Sequence, residues 1–291
     1  MINGTLFKQE WERLENNFPK PRRINKVHRI KWKEFRTKVL NQDPSFVKEI
    51  VDSLYSGDVW VLEDTYDLSF LEKFKEELFK WGLNTPSSFH KMLEGVPNFH
   101  RIVDKELSKN YSFEAVRHVY FLFPWNEDPF GVWPIVSDIW GTFKVLSGFS
   151  YDEYCKNRPN DGVVDRLVIN HYPSGTGAIE THSDPLLFQR MIMGTRMNQK
   201  GTDFKTGGLY YVDKNGNKWE IEDELSMGHK YISYPTLLHG VNIIDEGSEV
   251  NWQSSKGRWF LGFSSTATDT VQNRHTGYSV KDVEKSELNY N

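Results

Sequence analysis

The chain carries a single cysteine, Cys155, in 291 residues. One thiol excludes an internal disulfide framework and fits a reducing compartment. Nothing around Cys155 in the sequence points to an activated thiolate. Long apolar runs are also missing. No stretch approaches the roughly 18–20 residues needed to span a bilayer, and the opening MINGTLFKQEWERLENNF has no apolar signal core. The expectation is a cytoplasmic protein with no membrane span. An excess of positive charge is absent too. With 36 Lys and Arg against 40 Asp and Glu, the formal net charge is −4, so no general attraction to nucleic acid or anionic lipid follows. No internal repeat or low-complexity linker is present. What remains is a chain long enough to bury a large core. Its aromatic content, 14%, suits barrel cores and apolar pockets equally.

The first third reads as helical. Residues 5–18 and 30–41 mix charge with spaced apolar side chains. Asp43-Pro44 opens a helix over 45–55, with Phe46, Val47, Ile50, Val51 and Leu54 on one face and Gly57 near its end. Residues 58–62 read as a short strand. Residues 69–81 read as a helix capped by Asp67 or Ser69 and stopped at Gly82. Residues 116–123 form a further strand and 133–146 a further helix. Strands then dominate: Leu167 to Tyr172, a turn at Pro173-Ser174-Gly175, and Ala178 to Thr181. Residues 266–291 are polar, in the manner of a surface tail or lid.

His182 and Asp184 end the second of these strands. Strand residues i and i+2 share a face, so both side chains can reach one metal ion. His239, on a distant strand, completes two imidazoles and one carboxylate. That facial set suits non-haem Fe(II) and leaves coordination positions open. Arg258 heads the largely apolar run Trp259 to Phe263, and its planar fork matches a carboxylate. A bare His-x-Asp is common, so the surroundings carry the weight. His28, His90, His100, His118, His171, His229 and His275 are read as packed or surface residues.

Four segments agree in order. Arg166 to Asp184 (RLVINHYPSGTGAIETHSD) is a strand-turn-strand with Tyr-x-x-Gly before His-x-Asp. Asp203 to Val212 carries a Gly-Gly turn, Ser226 to Ile244 carries the distal His in His-Gly-Val, and Arg258 to Phe263 supplies the arginine. Together they resemble the Fe(II)/2-oxoglutarate-dependent oxygenases, in the branches that include phytanoyl-CoA hydroxylase and the prolyl hydroxylases. The resemblance covers roughly 115–265. It implies a mainly β fold with helical N-terminal support, the core being a double-stranded β-helix or jelly-roll barrel. Residues 1–114 would pack on the barrel as helical support, 115–265 would form the catalytic core, and 266–291 the tail.

The resemblance also implies roles. His182, Asp184 and His239 would hold Fe(II), and Arg258 would pair with the far carboxylate of 2-oxoglutarate. Tyr172 resembles a family tyrosine that touches that carboxylate, and Asn170 shares its side of the strand. O₂ is the second co-substrate and ascorbate an auxiliary reductant. One departure is the separation of the arginine from the distal histidine, 258 − 239 = 19, longer than in many relatives. The polar stretch Asp245 to Lys256 holds the extra length, and Lys256 competes with Arg258 for the same role. The implied reaction oxidises an unactivated C–H bond by hydroxylation, desaturation or oxidative cyclisation, with succinate and CO₂ as co-products. Asp184 argues against halogenation. Ser264, where the nucleic-acid demethylase branch has a second arginine, argues against nucleic acid. The expected substrate is a small amino-acid-like or natural-product molecule. Arg117 or His118 is a candidate for facing it, although strand alternation lets only one point inward; Arg190 and Arg196 are the alternatives. Prolyl-hydroxylase-like action on peptides and a non-catalytic, cupin-like metal-binding barrel are the competing readings. The oligomeric state is left open.

Overall fold

The structure is a computed structural model that describes residues 2–272, Arg274 and the backbone of Tyr278–Ser279. Most of the expected tail, 266–291, lies outside the described residues. The chain opens with α1 (Thr5–Glu15), β1 (Val27–Lys31), α2 (Trp32–Asn41), α3 (Pro44–Tyr55), β2 (Val59–Glu63), α4 (Leu68–Asn84), β3 (Phe99–Val103), the single turn α5 (Lys105–Ser108), β4 (Ala115–Leu122) and α6 (Trp133–Leu146). Local chemistry sets the helix starts. Asp43 accepts hydrogen bonds from the N–H groups of Ser45 and Phe46 at 3.0 and 3.1 Å, with Pro44 at the first helical position. Asp67, rather than Ser69, caps α4 by accepting from Phe70 N–H at 3.0 Å.

Two expectations change. α4 does not stop at Gly82 but runs on to Asn84. A Cβ at Gly82 would come within 2.8 Å of the Tyr120 ring, so this glycine permits close packing on β4 rather than ending the helix. Residues 30 and 31 are strand rather than helix. They belong to β1, which pairs parallel to β2 with Val27 opposite Val59, and the ladder overrides a weak helical pattern.

The rest of the chain supplies β5 (Val163–Pro173), β6 (Ala178–Ser183), β7 (Ile192–Arg196), β8 (Gly208–Val212), β9 (Lys218–Glu220), β10 (Lys230–Ser233), β11 (His239–Asn242), β12 (Gly257–Ala267) and β13 (Tyr278–Ser279). Strands β5 to β12 make two antiparallel four-stranded sheets, ordered β10-β7-β12-β5 and β6-β11-β8-β9. The chain crosses from one sheet to the other at every step but β8 to β9. That winding is the double-stranded β-helix, an antiparallel jelly roll. β4 pairs with both β5 and β6 and joins the two sheets along one side. β2 and β1 extend the first sheet beyond β10, so the segment before residue 115 adds strands as well as helices.

The first sheet buries both faces differently. Leu167, Ile169, Trp259, Leu261 and Phe263 point outward into the main apolar core with Phe7, Trp11, Phe35, Phe74 and Phe143 of the helical layer. The alternate residues of β5 and β12 point inward, toward the second sheet. β7 carries a glycine at its centre and was not foreseen as a strand. Gly194 is required there because a Cβ would lie 2.2 Å from the Phe260 ring. No helix among the described residues is long and apolar enough to cross a membrane.

Candidate metal centre and its cavity

β6 and β11 are neighbours, and their register sets His182 directly opposite His239. Asp184 follows β6 and is pinned by its backbone N–H, which donates to Pro235 O at 3.0 Å. His182 Nε2 lies 3.8 Å from Asp184 Oδ1, and His239 Nε2 lies 3.7 Å from Asp184 Oδ2. The three potential ligand atoms all fall within 4.8 Å of one another. Each imidazole is oriented by the backbone two residues earlier. His182 Nδ1 donates to Glu180 O at 2.8 Å, and His239 Nδ1 donates to Leu237 O at 3.0 Å. Those bonds keep the proton on Nδ1 and turn both Nε2 lone pairs toward Asp184. Burial, and then the proximity of His239, push the His182 pKa well below its ordinary value. The imidazole is therefore held neutral, the form that ligates a metal. The Phe113 ring stacks on His182 at 4.4 Å between centroids.

A cavity of about 550 Å³ opens over these residues between the two sheets. Arg166, Val168, Asn170 and Tyr172 of β5 line it, as do Arg258, Phe260, Gly262 and Ser264 of β12. Asn170 and Tyr172 thus share the cavity with the triad. His171, between them, faces the opposite way and stacks on Trp259 at 4.5 Å.

Arg258 stands opposite Tyr172 in the ladder despite the long connection from His239. Asp245 anchors that connection, accepting from Ser174 Oγ at 2.8 Å and from the N–H groups of Lys205 and Thr206. Arg258 is 1% exposed and donates from Nε to Glu222 Oε2 at 2.8 Å. Glu222, fully buried, also accepts from Leu209 N–H, and its Oε1 lies 3.2 Å from Arg196 Nη1. Two buried guanidiniums therefore share one carboxylate. Burial opposes the Arg258 charge, but Glu222, with Tyr231 and Tyr172, outweighs it and raises the Arg258 pKa. Arg258 Nη2 and Asn170 Oδ1 are buried with no hydrogen-bond partner among the described residues. A buried cation with an unused donor is suited to a ligand carboxylate.

The other candidates sort by position. Lys256 is exposed and does not line the cavity, so it does not compete with Arg258. Alternation on β4 turns Arg117 into the cavity and His118 away from it. His118 instead bonds His100 at 2.7 Å and Tyr120 at 3.1 Å in a buried network. Arg190 pairs with Glu15 at 2.9 Å, away from the cavity. Arg196 lies behind Arg258, donating to the carbonyls of Asn198, Glu222 and Leu225. Sequence reasoning missed Glu222, which sits in an acidic run (EIEDE) that looks like a solvated turn. It also passed over Arg166, although the i, i+4, i+6 spacing to Asn170 and Tyr172 puts all three on one strand face.

No protein-family model and no curated protein matches the chain. Among solved structures it is similar to a Pseudomonas putida prolyl-4-hydroxylase, with 10% identity and a TM-score of 0.46, covering 75% of this chain and 96% of that one. It is similar to a full-length Neurospora crassa protein solved in complex with alpha-KG and thymine, with 12% identity and a TM-score of 0.47, covering 91% and 97%. A prolyl hydroxylase from Trichoplax adhaerens, in complex with a hypoxia inducible factor peptide fragment, gives 10% identity and a TM-score of 0.48, covering 80% and 90%.

Proposed function

We propose that this chain is an Fe(II)- and 2-oxoglutarate-dependent oxygenase acting on a small amino-acid-like or natural-product substrate in the cytoplasm. The observation that carries this reading is the meeting, in one cavity, of the His182–Asp184–His239 set and the unpartnered Nη2 of Arg258. Two neutral imidazoles and a carboxylate fit a divalent iron, and a buried guanidinium fits the far carboxylate of a dicarboxylate co-substrate. When bound, iron with 2-oxoglutarate and O₂ supplies the oxidation of an unactivated C–H bond, with succinate and CO₂ as co-products.

The protein's part is positioning. His182 and His239 offer Nε2 atoms already aimed at a common point, and Asp184 fills the third place, which disfavours halide chemistry. Arg258 holds the co-substrate carboxylate, with Tyr172 and Asn170 beside it on β5. Phe260, Met193, Leu209 and Val241 give the same cavity an apolar wall. The volume lies in the range of small-molecule pockets, which supports a small substrate over a protein one. Residues 115–265 act as the catalytic core, and 1–114 support it with helices and added strands. Hydroxylation, desaturation and cyclisation share this ligand set and differ in substrate pose.

The test is spectroscopic and then catalytic. Fe(II) and 2-oxoglutarate, added together without O₂, are expected to give a weak visible charge-transfer band. Aerobic succinate formation should then rise above background with a responsive compound from a panel of amino acids and short peptides. Lack of both the band and any succinate would leave a metal-binding barrel without oxygenase chemistry.

A further inference from the structure

The proposed co-substrate role uses Arg258 and leaves three other arginines of the cavity unused. Arg166 shares the inward face of β5 with Tyr172, the partner of Arg258, but lies six residues away, roughly 20 Å along the strand. Arg117 enters the same cavity from β4, one residue before the His118–His171 pair, and Arg274 enters it from the segment after β12. The Nε atoms of Arg117 and Arg166 are buried and have no hydrogen-bond partner among the described residues. Asp269 offsets one charge, its Oδ1 lying 3.0 Å from Arg274 Nη2. Burial, then the charges of Arg274 and Arg117, push the Arg166 pKa down to about 10. Guanidiniums crowded in this way destabilise one another until an anion joins them. A solvated surface patch does not account for two buried, unpartnered Nε atoms on residues that line a cavity also holding a metal-binding set.

We propose that Arg117, Arg166 and Arg274 form a clamp for an oxyanion, the phosphate or carboxylate head of the substrate, so that the body of the substrate lies over His182, Asp184 and His239. The clamp rests on the reading of this cavity as the active site and narrows the substrate class to small anions. The planar forks of several arginines match the oxygens of phosphate or carboxylate. A side cavity of about 120 Å³ opens behind Arg117 and Arg166, walled by Phe99, Val119, Phe121 and Phe123. It would take a short apolar branch next to the anionic head. The separation of Arg166 from Arg258 places the far end of the clamp away from the co-substrate carboxylate.

The test uses the intact, metal-free chain and two probes, inorganic phosphate and benzoate, titrated by calorimetry. Wild type is expected to bind at least one of them, and the tighter probe names the head group. Arg166→Met and Arg117→Met should each weaken that binding at least tenfold, while Lys214→Met, at an exposed site, should leave it unchanged. Arg166→Lys keeps the charge without the fork and should fall between. Thermal midpoints guard against misfolding: removing one of three crowded cations should leave the Arg166→Met midpoint unchanged or raised. Failure of wild type to bind either probe overturns the clamp. So does full binding in Arg166→Met and Arg117→Met, or loss of binding confined to Arg258→Met. Neither iron nor 2-oxoglutarate is present, so this result is independent of the spectroscopic test of the oxygenase reading.

Discussion

Replacing Glu222 with glutamine probes the charge balance on which the proposed co-substrate site depends. Arg196, Glu222 and Arg258 are 0%, 0% and 1% exposed, so water screens none of them. The amide keeps the shape of the carboxylate, and its oxygen can still accept from Leu209 N–H. What disappears is the negative charge that the two guanidiniums share. Breaking a buried ion pair in this way costs about 3–5 kcal/mol. For a chain of this size each kcal/mol moves the midpoint by about 2–4 °C, so Glu222→Gln should melt roughly 6–20 °C below wild type. Circular dichroism during heating measures this. A second reading follows from the same set of charges. In the variant, Arg258 loses its internal anion, so saturating 2-oxoglutarate should raise the midpoint of Glu222→Gln by more degrees than that of wild type. A fall of less than about 2 °C would mean that the three groups are not the coupled, desolvated cluster described. An equal ligand response in both proteins would remove Arg258 as the partner of the co-substrate.

Four further outcomes are expected. Asp184→Ala should abolish both the anaerobic absorption band and turnover, while leaving the far-ultraviolet circular dichroism intact; surviving activity would refute the ligand assignment. Arg258→Met should raise the Kd for 2-oxoglutarate roughly 10- to 100-fold, the worth of a charge-assisted hydrogen bond of about 1.5–3 kcal/mol, and an unchanged Kd in a titration would refute it. Lys230 is fully buried, its Nζ donating among the described residues only to Thr195 Oγ1 at 3.1 Å and lying 3.7 Å from the Phe263 ring centre. Burial drives its pKa well below the usual lysine range, so the unfolded chain holds a proton that the folded chain releases. Stability then rises with pH through that window, and Lys230→Met should stabilise by about 1–3 kcal/mol in denaturant titrations. Burial also pushes the His171 pKa down to about 4. Its contribution is present above the ordinary histidine value and is lost as pH falls toward 4, so urea titrations of His171→Gln between pH 7 and 4 should show a shallower acid loss than wild type.

Residues on one strand were legible from spacing, and His239 and Arg258 from the order of the motifs, but the contacts that distant pairing builds around them were not. His182 and Asp184 follow from the period of a strand, and Asn170 and Tyr172 from the same rule one strand earlier. Arg258 reaches its place because β12 pairs with β5 over eleven residue pairs, which holds it opposite Tyr172 whatever the length of the preceding loop. Glu222 gave no such signal. Its burial depends on β8 and β12 bringing Leu209 and Arg258 to a short acidic turn, and composition there suggests solvent. Gly82 misled as a helix stop. Glycine usually punctuates an element, whereas Gly82, like Gly194 in β7, sits inside one because an aromatic ring occupies the space of its missing side chain. That Arg117 and Arg166 line one cavity could not be read from either strand, since Arg117 lies beside the His118–His171 pair and Arg166 beyond the Leu122–Leu167 pair.

The orientation of His182 and His239 by their own backbones has a consequence for how this protein can change. Each ring takes its bearing from a carbonyl two residues earlier on the same stretch of chain, so the hydrogen bond that aims it comes from backbone and not from a side chain of the cavity wall. Ion binding and wall composition are therefore separable inheritances. The wall can be repainted, by selection or by design, residue by residue for a new guest while the two short strands continue to present the same pair of nitrogens.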